Sequence, residues 1–496
     1  MKKMSLKKIV CFSLSLILII ITFCSCSLSG SKTESTAAAD AGQTDEAVVN
    51  LLNQAEASAA KDGATSITLS GSTAQVSGSG AKAEDGIVTI NQAGTYVLSG
   101  TMTDGRVIVD AQGQEVVLIL SDVSISCSYS SPLYIYKSSK TTVYLEQGSQ
   151  NVLTDGSTYN FNDSYSSQTD EEPNACLFSK SDLVIAGEGS LTVNAGFNNG
   201  ITSKDTLQIE NASLTVNAKA NGIGGKDYLT LKNASLTVTS GADGIRSTND
   251  TDPTLGYVII AGSALKLNAG EDGIQAQTTL TVSDSQLDIT TSAASAQTES
   301  SKGIKAEGDI KLEGGTFTVN STDDAIHSNS NVTVYSGSYT LNTDDDALHA
   351  DYQVTVNGGT IDITAHEGIE ATLVTINGGE ITINASDDGI NAAQQTDSVT
   401  PTVETNDGTL TIIMGQGDTD AIDSNGNITV NGGTVNITGQ SAFDYDGQGT
   451  LNGGTVTVNG EKVSQLTNQF AGGMMGGPGG QGGFGARPGG FPGNGQ

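Results

Sequence analysis

One apolar position recurs through most of the chain: Ile201, Ile223, Ile245, Ile274, Ile304, Ile326, Leu348, Ile369, Ile390, Ile422 and Phe443, at intervals of 22, 22, 29, 30, 22, 22, 21, 21, 32 and 21 residues. A spacing of 21–22 with occasional insertions is the period of a solenoid, whose units are too small to bury an apolar face alone and must stack on one another. After each anchor comes a short strand such as VTVN (Val354–Asn357), then a turn such as GGT, then a second strand such as IDIT (Ile361–Thr364). Apolar residues alternating with period two between Gly- and Asn-rich turns argue for strands rather than helices. The L-x-x-L-x-L-x-x-N frame of leucine-rich repeats and the G-G-x-G-x-D frame of calcium rolls are both missing. The expected fold is therefore all-β, a single-stranded parallel β-helix with coils of 21–22 residues.

This texture fills residues 63–465, less regularly before Ile201, in GTYVLSG, VVLIL and PLYIYKSSKTTVYLE. Residues 1–25 read as a signal peptide: MKKMSLKK precedes an apolar run from Ile9 to Phe23 that is short for a membrane span. FCSC (Phe23–Cys26) resembles the bacterial lipobox, so lipidation at Cys26 is expected, an ordinary cleaved secretory signal being the alternative. Residues 26–62 are expected to be a polar tether, with a short helix in DEAVVNLLNQAEASAAK covering the open β edge. Residues 466–496, Gly-rich and of low complexity, cannot bury a core and are expected to be a disordered tail. Such a chain is expected to be exported to the cell surface as a monomer and to touch the membrane only through its lipid. Cys127 and Cys176 are too few for a disulfide framework and read as small buried residues.

Composition sharpens the functional question. With 55 Asp+Glu against 22 Lys+Arg the formal net charge is −33, which excludes nucleic acid as an expected partner because the phosphate backbone would be repelled. In a β-solenoid equivalent residues of successive coils stack about 4.8 Å apart, so the anchors turn the sequence into columns. Two residues before the anchor stand Asn199, Asn221, Asp243, Asp272, Lys302, Asp324, Asp346, Glu367, Asp388, Asp420 and Ser441. One residue after it stand Thr202, Gly224, Arg246, Gln275, Lys305, His327, His349, Glu370, Asn391, Asp423 and Asp444. The position just before it never exceeds alanine, which implies a tight turn through positive φ or a close approach to the backbone. Stacked carboxylates about 5 Å apart repel by roughly 3 kcal/mol at an effective dielectric of 20. A bound cation would relieve this, and oxygen donors without cysteine favour a hard ion, Ca²⁺ before Mg²⁺. Zn²⁺ is the alternative raised by His327, His349 and His366, and acids that merely cap turns are the plainer one.

The run DDDALHAD, HEGIEA, SDDGINAA (Asp344–Asp351, His366–Ala371, Ser386–Ala393), with NGGTIDIT and NGGEITIN between, resembles the bacterial family of carbohydrate-binding domain-containing proteins. That resemblance implies an exported, right-handed parallel β-helix related to calcium-dependent family nine polysaccharide lyases, binding cellulose or acidic, pectin-like polysaccharide. It also implies Ca²⁺ ligands at Asp345, Asp346, Glu367, Glu370, Asp387, Asp388 and Asn391, and a second site at Asp418, Asp420, Asp423 and Asp444. Candidate sugar contacts are His327, His349, His366, Lys302, Lys305, Arg246, and Tyr134 and Tyr136, which alternation places on the outer face of PLYIYK. No catalytic residue is assigned. A lyase needs a neutral base near the metal, and Lys305 is expected to be kept charged by Asp323 and Asp324. The remaining alternative is a surface scaffold or adhesin in which calcium only ties coils together.

Overall fold

A computed structural model of the chain describes residues 61–292, 300–393, 398–416 and 419–469. Among these no residue lies in a helix, and the strands join into one continuous sheet that winds as a solenoid of parallel strands. The signal peptide, Cys26, the tether with its capping helix, Asp418 and the Gly-rich stretch from 470 onward lie outside the described residues.

The anchor column is a single ladder of parallel pairs. Ile201 pairs with Ile223, Ile223 with Ile245, Ile245 with Ile274 and Ile274 with Ile304. The series continues through Ile326, Leu348, Ile369, Ile390 and Ile422 to Phe443 without a slip. Each coil contributes three strand stretches, for example Ile223–Gly225, Tyr228–Lys232 and Ser235–Ser240, each pairing with its counterpart in the next coil. The three faces they build are termed the anchor, second and third sheets. Alternate residues of every strand point inward, so that Ile223, Leu229, Leu231, Leu236 and Val238 join one apolar column that runs the length of the solenoid. A one-residue slip would turn this whole set outward, and that penalty fixes the register.

The small residues before each anchor have a different cause from a turn. Gly222 and its equivalents have ordinary negative φ, whereas a methyl at Gly222 would collide with Val238 Cγ1 and with the carbonyl of Gly244 in the next coil. Close approach between coils, rather than backbone handedness, keeps this row small. Outside, exposed asparagines form a ladder of their own. The side-chain amides of Asn377, Asn406, Asn431 and Asn452 each donate to the Oδ1 of the preceding member, beginning at Asn357, over 2.8–3.0 Å.

Both ends are closed by antiparallel hairpins, Thr65–Gly71 with Thr73–Ser77 at one and Thr455–Val458 with Glu461–Lys462 at the other. At the second end the boundary expected at 466 is too early. Leu466 is buried, its carbonyl accepts from Tyr445 Oη, and Gln469 N donates to the Phe443 carbonyl, so residues 466–469 cap the last coil. Cys127 and Cys176 are both free and buried.

Candidate functional site

The rim of the anchor sheet carries the two polar columns. The column two residues before the anchor is first a backbone device. Its side-chain oxygens accept the main-chain N–H of the equivalent residue one coil on: Asn199 Oδ1 from Asn221 N at 3.2 Å, Asn221 Oδ1 from Asp243 N at 3.2 Å, Asp272 Oδ1 from Lys302 N at 2.9 Å and Asp388 Oδ1 from Asp420 N at 3.1 Å. This explains why the column holds only short amides and carboxylates in most coils. Each aspartate leaves a second carboxylate oxygen for other work, whereas the asparagines leave an amide donor, which Asn221 gives to Asn199 Oδ1 at 2.9 Å.

At Asp243 and Asp324 that work is done by basic side chains of the chain. Arg246 Nη1 lies 3.2 Å from Asp243 Oδ2. Lys302 Nζ bridges Asp323 Oδ1 at 2.6 Å and Asp324 Oδ2 at 2.7 Å, and His327 Nδ1 lies 2.6 Å from Asp324 Oδ2. Burial opposes charge on Asp324, but His327 and Lys302 outweigh it and hold the carboxyl at about 2. Burial likewise works against the Lys302 ammonium, and Asp324 and Asp323 more than offset it, raising its pKa. Sequence reasoning gave this role to Lys305. In the structure Lys305 points to Glu307, 3.8 Å away, and Lys302 takes both aspartates. The missing signal was the column itself: Lys302 replaces an acid there, so its long stem reaches the next coil's acids along the rim.

Beyond Asp346 the balance changes. Asp346, His349 and Glu370 offer ligand atoms all within 4.8 Å of one another, as do His366, Glu367 and Asp387, and also Asp323, Asp324 and Asp345. Asp345 therefore groups with the preceding coil, apart from Asp346, and Asn391 Nδ2 donates to Glu367 Oε2 at 3.0 Å. The seven residues expected to form one set are thus spread over adjoining clusters on one rim. No Lys or Arg pairs with Asp346, Glu367, Glu370, Asp387, Asp388, Asp420, Asp423 or Asp444 among the described residues. Burial, then contact with Asp346, pushes Glu370 up to about 8. Burial lowers His349, but Asp346, Asp324 and Glu370 raise it to about 9. Burial with Glu367 and Asp387 pushes Asp388 up to about 6, and burial with Asp388, Asp444 and Asp420 does the same to Asp423. Glu367 and Asp444 are raised as well, in each case chiefly by burial. Half-buried carboxylates that resist ionising because they are poorly hydrated and crowded by other carboxylates, with no lysine or arginine paired to them among the described residues, form a donor set suited to a hard cation. Oxygens that close can share one Ca²⁺, whose bonds are about 2.3–2.6 Å.

The tyrosine expectation is corrected. Leu133 and Ile135 point into the core and Tyr134 outward, as alternation requires, but segment 156–174 crosses that face and Tyr134 is fully buried. Its hydroxyl donates to the Tyr165 carbonyl at 3.1 Å, and Tyr136 packs edge-on against the Tyr165 ring at 5.1 Å. Buried Arg106 ties the segment down through Asp163 at 2.6 Å, while Lys180 and Lys204 hold Glu172 at 2.6 and 2.9 Å. Nothing periodic in 156–174 announces this cover. Exposed tyrosines do occur at Tyr335 and Tyr352, but they sit at different corners of the coil and cannot form one stacking platform.

Comparison with known proteins places the chain. A family model described as "Carbohydrate-binding domain-containing protein" matches residues 84–347 and 345–469. A carbohydrate-binding domain-containing protein of Acetivibrio thermocellus is 42% identical over 229 residues, covering 46% of this chain and 76% of that one. Among solved structures, a polysaccharide lyase-like protein from C. thermocellum, in its gadolinium derivative, is 34% identical with a TM-score of 0.45, over 50% of this chain and 96% of that one. The family match spans nearly all of the described solenoid, and the chain belongs to the carbohydrate-binding domain-containing protein family.

Proposed function

We propose that the protein is an exported, lipid-anchored, non-catalytic polysaccharide-binding solenoid, right-handed with coils of 21–22 residues, that takes up Ca²⁺ along its acid rim and through it an acidic, pectin-like polymer. The observation that carries this reading is the run from Asp346 to Asp444, where carboxylates stack coil after coil with no lysine or arginine paired to them among the described residues. Asp346 and Glu370 would hold one ion, and Glu367, Asp387 and Asp388 an adjoining one. Asp420, Asp423 and Asp444 offer further oxygens in the next two coils. Bound Ca²⁺ would supply the positive charge that lets an acidic rim attract an acidic polymer. Family membership supports a carbohydrate partner, and the leader with Cys26 supports export and anchoring.

Two features favour an acidic polymer over cellulose and binding over cleavage. A neutral glucan needs a row of exposed aromatic faces, and Tyr134 is buried. An elimination needs a neutral base beside the metal, whereas Lys302 is held charged by Asp323 and Asp324 and Lys305 lies against Glu307. Pull-down on polygalacturonate and on cellulose, each with calcium and with chelator, tests the proposal. Retention on polygalacturonate that disappears with chelator is expected. Retention indifferent to calcium, or release of an ultraviolet-absorbing unsaturated product, would contradict it.

A further inference from the structure

The row one residue after the anchor presents a side chain on the outer face in every coil from Ile201 onward except one. Thr202, Arg246, Gln275, Lys305, His327 and their successors all fill it, and Gly224 leaves it open. Neither backbone nor packing requires that glycine. Its φ is not in the left-handed region, and a methyl would meet only Arg246 Cγ at 3.7 Å and the Arg246 carbonyl at 3.9 Å, ordinary contacts. The result is a hollow of about 150 Å³ on the anchor sheet, bordered on one side by Asn174 at the end of the covering segment.

The lining of this hollow runs against the composition of the whole chain. Lys204, Lys226 and Arg246 border it together with the amides of Asn199 and Asn221, and no acid does among the described residues. Lys204 and Arg246 are held from behind by Glu172 at 2.9 Å and Asp243 at 3.2 Å, which fixes their heads at the edge of the cavity. Lys226 is exposed and makes no ion pair among the described residues. The hollow lies six coils from Glu370 along the same row, roughly 30 Å at about 4.8 Å per coil, well outside the carboxylate clusters.

We propose that the hollow over Gly224 is a metal-independent subsite for one carboxylate-bearing sugar ring. Lys226 and Arg246 bind the sugar carboxylate by charge-assisted hydrogen bonds, and Asn199 and Asn221 take ring hydroxyls. This rests on the polysaccharide-binding reading above but needs no calcium. An acidic chain lying along the solenoid axis then meets protein cations at one end of the row and the carboxylate rim at the other.

The test is titration of the purified protein with a short galacturonate oligosaccharide in chelator, followed by heteronuclear NMR or calorimetry. A neutral glucose oligosaccharide of equal length and sodium sulfate serve as comparison ligands. The acidic sugar alone should bind, and Lys226→Gln with Arg246→Gln should weaken it by about tenfold or more. Gly224→Gln, whose Cβ has room, should block it while leaving the melting temperature in place. Unchanged affinity in both variants overturns the subsite, and equal affinity for sulfate overturns its assignment to a sugar. Wild-type protein that holds polygalacturonate in calcium yet shows no affinity in chelator overturns the subsite and leaves the calcium reading standing. Protein that holds no polymer in either buffer overturns both.

Discussion

Asp324 shows how one residue serves two purposes on this rim. It is 2% exposed, its Oδ1 accepts the N–H of Asp346 at 3.3 Å, and its Oδ2 gathers Lys302 and His327. Removing it takes one of the two carboxylates from the poorly hydrated Lys302 ammonium and the partner from His327 Nδ1, so Asp324→Ala should cost about 3 kcal/mol, measured by denaturant unfolding. Asp388 and Asp423 behave oppositely because no cation of the chain faces them. Their carboxyls ionise near 6 in the folded chain against an ordinary 3.8, so the folded state holds protons that the unfolded chain has released. In chelator, stability from these two groups is present below about pH 3.8 and lost as pH rises through 6. Asp324, held at about 2, contributes the other limb, lost as pH falls from 3.8 towards 2. Melting temperature in chelator should therefore fall between pH 4 and 6.5, and calcium should abolish that fall. A decline that calcium leaves untouched would show that these carboxylates do not face an ion.

At the scale of strands and coils, much was legible because the solenoid maps sequence to space almost linearly. The apolar anchors chosen from spacing alone are the residues that pair, from Ile201 to Phe443. Insertions of seven to eleven residues disturb nothing, since they leave at the coil corners and return in register, as between Ile245 and Ile274. What spacing could not convey was distance between coils. It marked the small row before the anchor but suggested a turn, whereas the cause is a neighbouring carbonyl and a core methyl. Gly222→Ala should accordingly destabilise by about 1–3 kcal/mol through overpacking, read by thermal melting. A neutral outcome would mean that the coils adjust to a methyl at that point, as the row does accommodate one at Ala325 and Ala347, both fully buried.

Over the whole molecule the charge distribution is graded, and this was half visible in the sequence. The columns put the acids on one rim, yet which acids already have partners depends on the reach of side chains, not on their column. Lys302 bridges Asp323 and Asp324, and among the described residues no lysine or arginine pairs with the acids from Glu367 to Asp444. The covering segment 156–174 was invisible for another reason: it has no period, and its hold on Arg106 and Tyr134 is a matter of tertiary packing. The rim thus runs from chain-neutralised acids to acids that await a cation. Calorimetric titration of metal-free protein with calcium, with melting temperature followed in parallel, tests that claim most directly. Saturable uptake with a rise in melting temperature of several degrees, diminished in Glu370→Gln and in Asp388→Asn, is the predicted result. No heat of binding and an unchanged melting temperature would contradict it.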